Sequence, residues 1–132
     1  MDHNKLANIV MEMLLRGNDT VLAILREQYK GARIVSEKYN NVGFYINYQI
    51  SDAPIIPNEY NTTFQIGDLE GTVDNIDSAV GFVLFVKNGY IIMLEGYTNL
   101  LNQWPESDSQ VELQYSTGQR DYESLRKNWM KN

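Results

Sequence analysis

Acidic and aromatic side chains meet in Leu94-Glu95-Gly96-Tyr97-Thr98, and Glu95 is the carboxylate best placed for general-base or ligand-anchoring work. That expectation comes from counting along a hairpin. Asn88-Gly89 readily adopts the two positive φ angles of a type I′ turn, so Lys87 should pair with Tyr90. Counting outward sets Val86 opposite Ile91, Leu84 opposite Met93, Phe82 opposite Glu95 and Val80 opposite Tyr97 on one face. The other face then pairs Phe85 with Ile92, Val83 with Leu94 and Gly81 with Gly96. Glu95 would sit beside Phe82, Met93 and Tyr97, where desolvation works against its charged form. The Gly81–Gly96 pair would leave a notch, with Tyr97 and Trp104 shaping a pocket beside it. The alternative is a strand that emerges into solvent at Glu95, its glycines admitting a helix or a strong twist.

Other chemistry has less to stand on. Asp68, Glu70, Asp74 and Asp77 form an acidic group, but the EF-hand spacing of a calcium loop is missing, and a solvated strand face explains it better. His3 is the single histidine, so any Ser-His-Asp triad or histidine-based zinc site would have to depend on it. There is no cysteine, which removes disulfides, thiolate metal sites and a cysteine nucleophile and suits a reducing cytoplasm. Phosphate-cradling and nucleophile-elbow motifs are missing from the sequence too. No metal or cofactor is expected.

The elements that must position these residues follow from periodicity. Leu6, Ile9, Val10, Met13 and Leu14 recur at helical spacing over residues 3–16, and Gly17 suits the helix end. A second helix over residues 20–30, capped by Asn18 or Asp19, carries Val21, Leu22, Leu25 and Tyr29, and the short linker predicts a helical hairpin. Beyond Gly31 the pattern alternates. Strands are expected over 32–39 and 44–50, short ones over 62–66 and 69–73 separated by Gly67-Asp68, and another over 110–115. Between Val80 and Tyr97 two nearly continuous apolar runs flank Asn88-Gly89, which predicts the hairpin at the sheet centre, covered on both faces at least in part. A helix over 120–129 closes the chain, with Tyr122, Leu125 and Trp129 on one face. The expected fold is α+β in one domain over residues 1–132: two N-terminal helices, a mainly antiparallel sheet of five or six strands, and a C-terminal helix.

Charge and composition then narrow the function. The chain carries a formal charge of −6 with 17 acidic and 11 basic residues. That balance argues against nucleic acid, whose phosphates are held by clustered Lys and Arg. The one basic grouping is Arg120, Arg126, Lys127 and Lys131. No apolar run is long enough to cross a membrane, and the N-terminus has neither a secretory nor a lipidation pattern, so a cytoplasmic location is expected.

The stretch Gly81-Phe82-Val83-Leu84-Phe85-Val86, then Asn88-Gly89, Leu94-Glu95-Gly96-Tyr97-Thr98 and Trp104-Pro105, resembles a pattern found in small uncharacterised bacterial proteins. The resemblance implies a bacterial source and a domain spanning the chain, and no catalytic role. In size, acidity and α+β make-up the chain is similar to bacterial immunity proteins that neutralise toxins. The leading expectation is therefore a non-catalytic protein that recognises a partner with a basic surface. The alternative is a small-molecule-binding domain or minor enzyme with its pocket at Glu95, Tyr97, Gly81, Gly96 and Trp104. Homodimerisation through an exposed sheet edge stays open.

Overall fold

The computed structural model describes residues 3–73, 76–98, 103–105 and 111–131. Two helices, α1 (His3–Leu14) and α2 (Thr20–Lys30), precede strands β1 (Arg33–Asn40), β2 (Gly43–Gln49), β3 (Phe64–Val73), β4 (Ile76–Lys87), β5 (Tyr90–Thr98) and β6 (Val111–Tyr115), and a short helix α3 (Tyr122–Arg126) follows. The strands make one six-stranded sheet in the order β1-β2-β5-β4-β3-β6, and every pairing is antiparallel. This is the expected α+β architecture, with the β4–β5 hairpin in the middle. No helix among the described residues is long and apolar enough to cross a membrane.

Alternation in the strands puts Phe44, Ile46, Ile66, Leu69, Val80, Phe82, Leu84, Val86, Ile91 and Leu94 against the helices, all buried in one core. Helix α1 turns Leu6, Val10 and Leu14 inward as its spacing requires, but Ala7 and Met11 flank that stripe while Ile9 is exposed. Both flanks of the stripe are apolar, so periodicity left the rotation of the helix undecided and the docked partner decided it. Gly17 has a φ of +141°, and a Cβ there would come within 2.7 Å of the Leu22 and Tyr122 side chains. Glycine is required at this corner on both counts.

Several expectations change. Gly67-Asp68 does not separate two strands; it is an irregularity inside β3, between the Ile66–Leu84 and Leu69–Phe82 pairs. Helix α3 is one short turn, and Trp129 beyond it packs its ring on Phe64. Asp19 precedes α2 without a side-chain cap, because its carboxylate takes both of its hydrogen bonds from Arg126 Nε, at 3.0 and 2.8 Å.

Arg120 and Asp68, assigned from sequence to a basic and an acidic cluster, belong to each other. Arg120 Nε and Nη2 donate to the two Asp68 oxygens at 2.8 and 3.0 Å. The remaining donors reach the Met13, Arg16 and Leu14 carbonyls at the end of α1. With Tyr115 and Tyr122 under and beside the guanidinium, this arginine ties β3, β6 and α1 together and has no N–H left over. Among the described residues there is no group of three or more side chains able to hold a metal. Asp74, Gln110 and the side chains of His3 and Asp77 lie outside the described residues.

Candidate functional site

The hairpin turns where the sequence says it should. Asn88 and Gly89 both have positive φ, 52° and 87°, and Lys87–Tyr90 and Val86–Ile91 pair as counted. At the next pair the count fails. Phe85 pairs with Met93, not Ile92, so Ile92 is an extra residue in β5 and everything beyond it moves by one position. At the same place Ile91 N–H donates not to a strand but to Gln28 Oε1 at 2.9 Å. Gln28 is fully buried on α2, and its Nε2 donates to the Pro54 and Gly89 carbonyls at 2.8 and 2.7 Å. Nothing in a helical pattern of apolar residues announces a glutamine that locks a distant turn.

A one-residue shift turns each side chain to the other face. Glu95 therefore pairs with Val83, Phe82 with Gly96 and Gly81 with Tyr97. The expected Glu95–Phe82 and Gly81–Gly96 juxtapositions do not form, and the five candidate residues divide between the two faces. Gly96 and Trp104 are on the helix side. The Phe44 ring lies over Gly96, where a Cβ would come within 2.3 Å of it. Trp104 packs edge-on to Phe44 and Phe82, with ring centroids 5.3 and 6.0 Å apart. Its N–H from the backbone donates to the Asn41 carbonyl at 2.7 Å. Trp104 thus completes the core at the end of the sheet.

Glu95, Tyr97 and Gly81 are on the opposite face, which carries no helix among the described residues. The Tyr97 ring folds over Gly81, within 2.5 Å of where a Cβ would be, so each glycine seats a ring on its own side and the notch is filled twice. Across the strand pair Tyr45 faces Glu95. The Glu95 charge, with the Tyr45–Glu95 hydrogen bond second, holds the Tyr45 phenol above its ordinary range. Val83 flanks Glu95 on β4, and Met93 and Tyr97 lie two residues away along β5. Val83, Phe85, Met93, Glu95 and Tyr97 are all half-buried and Tyr45 is exposed. The result is an open sheet surface with a carboxylate set between two tyrosines in an apolar field. Sequence reading found Glu95 and Tyr97 but missed Tyr45, because only strand order brings β2 alongside β5.

A second concavity, a groove of about 910 Å³, lies between α1, α2 and the start of β1. Tyr29 and Tyr48 meet there at a ring-centroid distance of 5.9 Å. The groove wall includes none of the five candidate residues.

Comparison with protein-family models, with curated proteins and with solved structures finds no match to this chain.

Proposed function

We propose that the protein is a non-catalytic, cytoplasmic binding protein that recognises a protein partner bearing a basic surface, with the open sheet face as its contact surface. The observation that carries this reading is the position of Glu95 between Tyr45 and Tyr97, on a face where Val83, Phe85 and Met93 supply apolar contact area. A Lys or Arg from the partner would meet the carboxylate and stack against a tyrosine ring, and the surrounding apolar side chains would exclude water from that pair. Tyrosine suits such a contact, since it offers large area at low ordering entropy. The net charge of −6 speeds encounter with a basic partner and sets the chain against nucleic acid. An immunity-type role, in which the chain covers a basic effector protein, is the concrete form of this reading.

The test is capture from a lysate of the native host with the full chain immobilised. A stoichiometric protein partner should be retained at low salt and released as salt rises. Glu95→Lys should abolish retention and leave the melting temperature nearly unchanged. Recovery of the wild-type chain alone at low salt would overturn the proposal.

A further inference from the structure

The groove beside the helices contains a guanidinium whose donors are only partly used. Arg26 Nη1 donates to the Leu15 and Gly17 carbonyls at 2.6 and 2.7 Å, and both bonds are part-buried. They hold the group at the end of α1. Nε and Nη2 meet no protein acceptor among the described residues. Those two nitrogens form one edge of the planar fork, the edge that takes a carboxylate in two parallel hydrogen bonds. Arg120 at the same helix end makes the contrast, since it spends every donor on the protein.

The rest of the groove agrees with an anionic ligand that has an apolar body. Its charged lining residues are Arg16, Arg26 and Lys30 against Glu12, and with Lys30 ion-paired to Glu27 the two arginines still leave a positive excess on a chain that is negative as a whole. Ala32 and Ile34 contribute apolar wall, with Ile34 42% exposed, and Met11 and Leu15 lie buried beneath it. The Tyr29 hydroxyl donates to Asn8 Oδ1, and the Tyr29 and Tyr48 rings meet edge to face. Burial raises both phenols above their ordinary range, so they stay neutral and do not repel an anion. The volume, about 910 Å³, is that of a site for a small organic molecule.

We infer that this groove binds a small amphipathic carboxylic acid, its carboxylate on the Nε–Nη2 edge of Arg26 and its apolar body along Ala32 and Ile34. The site is separate from the open sheet face.

The test uses 2-naphthoate and 2-naphthylmethylamine, which share a ring system and carry opposite charges, titrated calorimetrically into the full chain. The acid should bind saturably, one per chain, and at least about tenfold more tightly than the amine, the ratio that about 1.4 kcal/mol of charge-assisted bonding produces. Arg26→Met should weaken the acid by a similar factor. Because Arg26 also supports the end of α1, a second variant, Ala32→Phe, fills the groove without removing a hydrogen bond and should abolish binding in a protein that still melts cooperatively. Glu95→Lys should leave naphthoate binding intact, which distinguishes this site from the protein-binding face. Equal affinity for acid and amine, no saturable binding by the wild type, or full binding in both groove variants would overturn the inference.

Discussion

The two faces of the sheet use one device for different ends. On the helix side Phe44 covers Gly96, and Phe82 and Trp104 close around the ring. On the open side Tyr97 covers Gly81, and no further ring packs on Tyr97 among the described residues. Both glycines exist because a ring crosses the strand there, yet only the first ring is locked. The Phe44 side of the strand pair is a core, where each atom removed leaves a void. The Tyr97 side is a surface, with Tyr97 and Glu95 half-buried and Tyr45 exposed. The same strands supply both, since neighbouring residues point opposite ways.

Phe82 and Phe85 test the comparison most severely, being the same residue type three positions apart on β4. Phe82 is fully buried and Phe85 half-buried. Phe82→Ala should cost about 3–5 kcal/mol in urea unfolding, and Phe85→Ala only about 1 kcal/mol. Equal costs would mean that the open face is covered in solution. The glycines come next. Gly96→Ala pushes a methyl against a ring that cannot move and should cost about 1–3 kcal/mol. Gly81→Ala meets a ring with solvent beside it, so Tyr97 can swing aside and the cost should stay below about 1 kcal/mol. Reversal of that order would break the assignment of faces.

The smallest effect concerns Glu95. Glu95→Gln removes the charge that raises the Tyr45 phenol, so one tyrosine should titrate at lower pH when absorbance near 295 nm is followed. Stability near neutral pH should change by less than about 0.5 kcal/mol, as expected for a surface substitution. A tyrosine titration identical in the two proteins would show that Tyr45 and Glu95 do not interact.

Much of this molecule was legible before any coordinates. The two N-terminal helices, the Asn88-Gly89 turn and the sheet-then-helix order follow from period changes and turn chemistry. The candidate site was legible only in part. Glu95 and Tyr97 stood out by type, but their neighbours were deduced by counting, and a single extra residue at Ile92 reversed the count. A bulge leaves no mark on an apolar run such as Tyr90-Ile91-Ile92-Met93-Leu94, since either register keeps apolar residues inside near the turn. Trp104 was placed at a pocket and is a core residue, because packing against Phe44 and Phe82 depends on where a distant loop returns.

The polar groups show the same limit. Arg120 and Asp68 are 52 positions apart and Gln28 and Ile91 are 63 apart. The type of a side chain announces that it needs a partner when buried, not which partner it finds. Local patterning determined the elements, their order and the turn of the central hairpin, because backbone propensity and solvent exposure act within a few residues. Register beyond the bulge, the facing of Glu95 and the unused edge of Arg26 were decided by tertiary structure alone. Each depends on atoms brought together from far along the chain, and short-range preference carries no information about that meeting.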